Sequence, residues 1–310
     1  MSATTPSRLE KMLRAGHQAV TSECGPPRGS DPQVILNKAR HIKDHVDAIN
    51  VTDNQTSVTR LCSLAACAHL KLAGLEPVLQ MVTRDRNRIA IQSDILGAAS
   101  FDIHNLLCLS GDHQSFGDCA QGQNVHDLDS MQLIQTARHM RDQGRFLGGD
   151  EIARPPKMFV GAAANPFADP FEIRVPRLAK KVAAGAEFIQ TQCIFNLEKF
   201  ERWLGLARER GLLDKVFILA GLTPLKSAGM AKYMKNRVPG MDVPDEVAQR
   251  ISGVPKESQA QEGINICVES IQRLKELPGL AGFHIMAIEW EEKVPEIVER
   301  AGLFPRPALD

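Results

Sequence analysis

The stretch EPVLQMVTRDRNRIAIQSDILGAASFDIHNLLCLSGD, residues 76–112, contains two apolar segments of strand length with a helical segment between them. Residues 77–82 and 105–109 have the length and apolar character of buried strands, while 87–99 has the spacing of a helix. A helix between two such strands predicts a βαβ unit with parallel strands. The second strand ends in Ser110, Gly111 and Asp112, so a strand that is expected to be buried leads directly into a carboxylate.

The same alternation continues along the 310 residues. Eight strand–helix units predict an α/β protein with a (β/α)8 TIM barrel, a single domain over 1–310 with extra N-terminal and 240–280 helices. A doubly wound sheet is the alternative, but its glycine-rich phosphate loop is missing from SECGPPRG (22–29), which ends the first strand. The predicted strands cover 18–24, 46–52, 77–82, 105–109, 158–163, 188–194, 216–220 and 282–288.

Composition limits the class of partner and compartment. The formal net charge is +0, which argues against nucleic acid or an anionic membrane as the main partner. No apolar run reaches the roughly 18 residues of a membrane span, and the N-terminus lacks a secretory signal pattern. The 7 cysteines include no C-x-x-C pair, so we expect a reduced, cytoplasmic protein without a disulfide framework or a zinc site.

Polar residues lie at or just after the end of every predicted strand, where a TIM barrel carries its chemistry. No histidine falls at a predicted strand end, which leaves no Ser-His-Asp arrangement to propose. Carboxylates without histidine or cysteine make a metal site doubtful. Carboxyls, amides and hydroxyls can orient a heterocycle and supply one acid for proton transfer, with the harder chemistry left to a cofactor. These polar residues are Glu23, Asn50, Thr52, Asp53, Asn54, Gln80, Thr83, Ser110, Gly111, Asp112, Asn165, Gln190, Gln192, Thr223 and Glu289.

Several segments together resemble the methylenetetrahydrofolate reductase family, in its short bacterial form with a single catalytic barrel. The resemblance implies an FAD-dependent oxidoreductase of one-carbon metabolism, with FAD at the barrel mouth. NAD(P)H and then the folate would use the same flavin face, and hydride transfer through the flavin would interconvert 5,10-methylenetetrahydrofolate and 5-methyltetrahydrofolate. The segments are TSECGPPRG (21–29), DAINVTDN (47–54), residues 76–99, NLLCLSGD (105–112), GAAANP (161–166), KKVAAGAEFIQTQCIF (180–195) and LAGLTPL (219–225).

The resemblance also assigns roles to individual residues. Glu23 matches the general acid, Asp112 lies near both flavin and pterin, and Gln192 binds the pterin. The alternatives are a salt bridge from Glu23 to Arg28, a turn-capping role for Asp112 and a buried structural amide for Gln192. The implied FAD-binding positions are Thr52, Gln80, Leu109, Ser110, Gly111, Asp112, His126, Asp127, Asn165, Arg177 and Lys181, and residues 113–118 resemble the mobile loop over the site.

Three departures leave the electron donor open. Asp53 stands where many members have an aromatic residue, and Ala228 matches an aromatic that packs against nucleotide and folate. The chain has a single tyrosine, Tyr233. The donor can be NADH, NADPH or a redox partner protein, and the reaction can run mainly toward oxidation. Self-association is expected from the family.

Other interpretations of individual segments and of the whole chain stay open. Residues 84–88, RDRNR, predict either a positive field near the phosphates or an ion-pair cluster with Asp85 and Asp94. The insertion 240–262 is interpreted as a surface excursion, with a lid or partner contact as alternatives. A methyltetrahydrofolate-dependent methyltransferase barrel without flavin, or a non-catalytic subunit, are the competing functions.

Overall fold

A closed barrel of eight parallel strands forms the centre of the protein in the computed structural model, which describes residues 4–309. The strands follow one another around the barrel in chain order, and the first strand pairs with the last to close it. The predicted TIM barrel is therefore confirmed. The strands are β1 Ala19–Cys24, β2 Ala48–Val51, β3 Pro77–Val82, β4 Asn105–Leu109, β5 Phe159–Ala164, β6 Phe188–Cys193, β7 Phe217–Leu222 and β8 Leu280–Ile285.

Helices cover the outside of the barrel and supply the extra elements that were predicted. The predicted N-terminal helix is present at Arg8–Arg14, and the 240–280 segment contains helices at Asp245–Ser252 and Gln259–Lys275. The helices are α1 Arg8–Arg14, α2 Gln33–Ile42, α3 Ser63–Leu72, α4 Arg88–Ser100, α5 Ser130–Asp142, α6 Arg174–Ala184, α7 Leu197–Glu209, α8 Ala228–Arg237, α9 Asp245–Ser252, α10 Gln259–Lys275 and α11 Val294–Arg300.

Local sequence explains why these elements begin where they do. Every residue of β3 is buried, as expected for a parallel strand covered on both faces. The Asn87 side chain accepts hydrogen bonds from two backbone N–H groups at the start of α4. Asp129 and Gln132 form a capping box at the start of α5, which satisfies N–H groups that a helix leaves unpaired.

The N-terminal end of the barrel is closed by α1. Leu9 and Met12 are fully buried and join a cluster with the stacked rings of Phe159 and Phe188, whose centroids lie 4.9 Å apart. The buried Glu10 carboxylate accepts hydrogen bonds from neighbouring residues of the same terminus. This end of the barrel is therefore a packed apolar floor, and any cavity inside the strands must open at the opposite end.

Within residues 4–309, every helix is too short or too polar to cross a lipid bilayer. The cysteines are all free, and five of the seven are buried.

Candidate functional site

A cavity of about 330 Å³ lies at the C-terminal ends of the strands. A larger groove of about 800 Å³ is lined by residues such as His104 and Lys157, which precede β4 and β5, and so lies toward the opposite end. Because TIM barrels place their chemistry at the C-terminal ends of strands, the smaller cavity is the candidate site. Seven of the predicted site residues line it: Glu23, Gln80, Leu109, Asn165, Arg177, Lys181 and Gln192.

Glu23, in β1, is the carboxyl group of this cavity. Its side chain is 25% exposed, and its Oε2 accepts a hydrogen bond of 3.2 Å from Gln80 Nε2. Burial raises the pKa of Glu23 to about 7, and the negative charge of Glu291 adds to this increase. The hydrogen bond from Gln80 lowers the pKa, but by less than burial raises it. Arg28 pairs with Asp118 instead, so the alternative of a salt bridge to Arg28 is wrong. Glu23 can therefore hold a proton near neutral pH.

His284 contradicts the expectation that no histidine lies at a strand end. It is the penultimate residue of β8, its Nε2 lies 3.9 Å from Glu23 Oε2, and its Nδ1 lies 2.9 Å from Thr21 Oγ1. Burial lowers the pKa of His284 to about 3, so the ring is neutral. The sequence prediction missed it because the strand was placed at 282–288, two residues too late at its start and three at its end.

Glu289 was expected at the end of strand eight, and this expectation is wrong. It lies four residues beyond β8 in the left-handed region, with φ 49°, and its carboxylate pairs with Lys38 of α2.

A layer of amides and hydroxyls lies across the barrel beside Glu23. Asn50 and Gln190 exchange two hydrogen bonds of 2.7 and 3.0 Å between β2 and β6. Gln190 Nε2 also donates to Thr21 Oγ1 at 3.0 Å, and Thr21 in turn contacts His284. The amide and hydroxyl groups of this layer therefore satisfy one another, as most buried polar groups do.

Gln192, in β6, lines the cavity with one end of its amide available. Its Oε1 accepts a hydrogen bond of 3.1 Å from the Cys193 backbone N–H. No residue among 4–309 accepts a hydrogen bond from its Nε2, so this donor is free for a ligand.

Three cations from α6 lie along one side of the cavity: Arg174, Arg177 and Lys181. Lys181 Nζ donates to the Ala163 carbonyl, and burial together with the charge of Arg177 lowers the Lys181 pKa to about 8. Among residues 4–309, no carboxylate pairs with any of the three. Arg177 is exposed, while Arg174 and Lys181 are partly buried and Arg174 donates to the Asp169 and Pro170 carbonyls. A group of cations without an ion-pair partner attracts an anion such as a phosphate.

Six predicted FAD positions do not line the cavity: Thr52, Ser110, Gly111, Asp112, His126 and Asp127. Thr52 donates a hydrogen bond of 2.6 Å to Gln55, and Asp127 holds Arg88 through two contacts of 2.8 and 2.9 Å. Asp112 is exposed and its Oδ2 accepts a hydrogen bond of 3.0 Å from the Thr56 backbone N–H. The carboxylate after β4 thus connects that strand end to the turn after β2.

The arginines of RDRNR form ion pairs, which confirms the cluster alternative. Arg86 pairs with Asp53 at 2.6 Å and with Asp94 at 2.8 Å, and Arg84 pairs with Asp85. The Asp53 side chain is fully buried and also accepts the Val82 N–H at 3.0 Å. Asp53, which the resemblance places where many members have an aromatic residue, therefore has a structural role beneath the 84–88 loop.

The 240–262 insertion is not a plain surface excursion, and that interpretation is wrong. Val243 and Ile251 are buried in a cluster with residues of β6 and α8, and the Gly240 carbonyl accepts a hydrogen bond of 3.0 Å from Asn165 Nδ2. Because Asn165 lines the cavity, this insertion packs against the site wall. Tyr233 lies on the surface, 62% exposed.

Comparisons of the sequence with known proteins all identify the same family. The profile of the family described as methylenetetrahydrofolate reductase matches residues 8–302. "Methylenetetrahydrofolate reductase 2" of Schizosaccharomyces pombe is 24% identical over 307 residues, covering 97% of this chain and 43% of the relative. "Probable methylenetetrahydrofolate reductase (NADPH)" of Caenorhabditis elegans is 22% identical over 313 residues, covering 96% and 44%. The chain thus spans less than half the length of these curated relatives.

A solved structure shares the fold. It is an uncharacterized protein from Clostridium thermocellum, described as binding two copies of 5-methyl-5,6,7,8-tetrahydrofolic acid. The TM-score is 0.63, and the match covers 95% of this chain and 98% of that one at 14% sequence identity. At this identity the likeness shows the barrel fold and nothing finer.

Proposed function

Because the chain belongs to the methylenetetrahydrofolate reductase family, we propose that it interconverts 5,10-methylenetetrahydrofolate and 5-methyltetrahydrofolate with FAD as its cofactor. The observation that carries the proposal is the Glu23 carboxyl group at the cavity, with its pKa raised to about 7 by burial. A general acid works best when its pKa lies near the working pH. In the direction of methylene reduction, Glu23 would deliver its proton to N10 as the five-membered ring of the substrate opens.

Gln192 and Gln80 would orient the reacting groups. The free Nε2 of Gln192 can donate to an acceptor on the pterin edge, since its Oε1 is already occupied by the Cys193 N–H. Gln80 holds Glu23 through Oε2, so the acid keeps one orientation while the substrate binds. Asp112 is proposed to reach the pterin only by giving up its hydrogen bond to Thr56.

The cations of α6 support the fit of FAD at one end of the cavity. Arg177 and Lys181 would bind the diphosphate, with Arg174 beside them, because three cations without carboxylate partners match that charge. FAD would supply the redox chemistry that side chains lack. Thr52 and Asp127 would have to exchange their present partners, Gln55 and Arg88, to take part in FAD binding.

NADPH is the first electron donor to test, because the relative from Caenorhabditis elegans carries NADPH in its name. A reduced partner protein is the second. The second candidate function is a pterin-binding methyltransferase barrel without flavin. It is favoured by one observation, that six of the predicted FAD positions lie outside the cavity wall.

The deciding experiment is an anaerobic visible spectrum of the protein with FAD, before and after NADPH, NADH and 5-methyltetrahydrofolate. The reductase proposal predicts a bound-flavin spectrum that is bleached by 5-methyltetrahydrofolate. A colourless protein that still binds 5-methyltetrahydrofolate would favour the methyltransferase-type barrel and reject the reductase.

Matched variants test the assigned roles. Glu23→Gln should retain FAD and lose folate turnover, while the exposed Glu257→Gln should keep both. Lys181→Met should weaken FAD binding by roughly 10- to 100-fold, the value of one charge-assisted hydrogen bond, and the exposed neighbour Lys180→Met should bind FAD normally. Flavin oxidation by methylenetetrahydrofolate at the wild-type rate in Glu23→Gln would exclude Glu23 as the acid.

A further inference from the structure

His284 is a buried, titratable side chain beside Glu23 for which the reaction proposed above has no role. Its ring lies between Thr21 of β1 on the Nδ1 side and the Glu23 carboxyl on the Nε2 side. The ring is 3% exposed. Because burial lowers its pKa to about 3, it is neutral at physiological pH and cannot itself be the proton donor.

The distances around Thr21 favour one assignment of the ring proton of His284. Gln190 Nε2 donates to Thr21 Oγ1 at 3.0 Å, so the hydroxyl hydrogen must point elsewhere. Its two possible acceptors are His284 Nδ1 at 2.9 Å and the Phe283 carbonyl at 3.4 Å. Only the first distance falls in the range of good hydroxyl hydrogen bonds. The hydroxyl therefore donates to Nδ1, and the ring proton lies on Nε2, which faces Glu23.

Two N–H groups then face the same oxygen of Glu23. Gln80 Nε2 donates to Oε2 at 3.2 Å, and His284 Nε2 lies 3.9 Å from that atom. The longer distance exceeds a hydrogen bond, but such contacts often shorten when substrate binds. No residue in the described part of the chain donates a hydrogen bond to Glu23 Oε1. This oxygen is not one of the buried side-chain atoms without a partner, so it is accessible from the cavity.

We infer that His284 is a positioning residue for Glu23: its fixed Nε2–H faces Oε2, so that the acidic proton resides on Oε1, toward the substrate. The inference rests on the proposed function, in which Glu23 is the acid. An oxygen that faces two N–H donors is a poor site for a proton, because the O–H hydrogen would point at other hydrogens. The neutral acid therefore presents its proton to the cavity, and the role of His284 is to orient the acid.

The other ionisable groups around Glu23 do not provide this orientation. Glu291, from the turn after β8, adds a negative charge that raises the Glu23 pKa but donates nothing to Oε2. Lys38 of α2 is occupied by Glu289 and Glu291. The buried thiol of Cys193 is electrostatically coupled to Glu23, as is that of Cys24, which lies on the other face of β1. Arg174, Arg177 and Lys181 line the same cavity.

The first test is made on the wild-type chain, and a variant serves only to assign the resonance. In the full chain labelled with ¹⁵N-histidine, a long-range ¹H–¹⁵N spectrum should show His284 protonated on Nε2 only, unchanged between pH 6 and pH 8. His284→Gln identifies the resonance among the 9 histidines. A ring protonated on Nδ1, or one that titrates in this range, would overturn the inference while leaving the reductase proposal intact.

Thr21 offers a matched pair for the tautomer. Thr21→Ser keeps the hydroxyl and should keep the single Nε2–H form. Thr21→Val removes it and should give His284 signals of mixed or changed protonation. Identical histidine spectra in the two variants would contradict the assignment of the hydroxyl hydrogen to Nδ1.

The last test measures the Glu23 pKa by ¹³C-carboxyl titration. His284→Met removes the N–H and should raise the Glu23 pKa, by as much as about one pH unit when the 3.9 Å contact shortens to a hydrogen bond, since a donor to a charged group is then worth about that much. His284→Gln retains a donor and should keep the wild-type pKa and the wild-type pH profile of folate turnover. Equal shifts in both variants would reject the positioning role. If Glu23→Gln retained folate turnover while His284 stayed protonated on Nε2, Glu23 would be rejected as the acid. The assigned geometry of His284 would still stand.

Discussion

The raised pKa of Glu23 makes a quantitative prediction about folding that requires no ligand. The pKa is about 7 in the folded protein, against 4.5 for the free side chain. Between these values the folded state binds more protons than the unfolded state, so the free energy of unfolding falls as the pH rises through this window. A difference of about 2.5 pH units corresponds to a cost of about 3 kcal/mol once both states are ionised.

Replacing Glu23 with glutamine removes this cost, because the amide is neutral at every pH and can still accept from Gln80. We expect the free energy of unfolding of Glu23→Gln to exceed that of the wild type by about 3 kcal/mol at pH 8. At pH 5, where the wild-type carboxyl is protonated in the folded protein, the gain should be less than about 1 kcal/mol. Urea unfolding at the two pH values measures both differences.

The control is Glu257→Gln, at an exposed glutamate of the 256–258 turn. It should show the same stability difference from the wild type at pH 5 and pH 8. If the stability gain of Glu23→Gln did not grow between pH 5 and pH 8, the carboxyl would not be held protonated by its surroundings. The argument for Glu23 as an acid near neutral pH would then fail.

Two further predictions concern the barrel floor and wall. Gly161→Ala should lower the free energy of unfolding by about 1–3 kcal/mol, because its new Cβ would lie 2.2 Å from the Phe188 ring. Gly205→Ala should instead stabilise the protein by roughly 0.5–1 kcal/mol, because this glycine is helical and its new Cβ would meet no atom within 4 Å. Urea unfolding of the two variants checks both values. Asp47→Ala should cost about 3–5 kcal/mol, because the buried carboxylate pairs with Arg306 at 2.6 Å. A loss under about 1 kcal/mol at position 47 would show that the pair contributes little.

The strands were largely predictable from the sequence because they are buried on both faces. Residues 77–82 and 105–109 were predicted with the observed bounds, since each is a short apolar run between clear turn signals. The last strand was not, because the apolar residues Met286 and Ala287 continue the pattern beyond its end at Ile285. Ala287 is buried and Met286 lines the cavity, so their hydrophobicity reflects packing outside the sheet.

The candidate site was predictable where it depends on strand ends, and not where it depends on loops. Glu23, Gln80 and Gln192 lie on strands, and the barrel geometry brings them to one cavity. The pairing of Asp53 with Arg86, and of Asp112 with the Thr56 N–H, depends on how two separate loops cross. A single sequence does not encode such crossings in any local pattern, so these structural acids could not be separated from ligand-binding ones.

The two ends of the barrel differ in what they contribute to the folded state. At the floor, Leu9 and Met12 are buried and the Asp47 carboxylate is paired, so this end stabilises the fold. At the mouth, Glu23 is partly buried with no Lys or Arg paired to it among residues 4–309, and His284 is buried and neutral. Both cost stability whenever the pH favours their charged forms. Active sites commonly keep such unfavourable groups because activity requires them. Substitutions at the floor should therefore lower stability without moving the Glu23 pKa, whereas Glu23→Gln at the mouth should raise stability above pH 7 and remove the titrating carboxyl group.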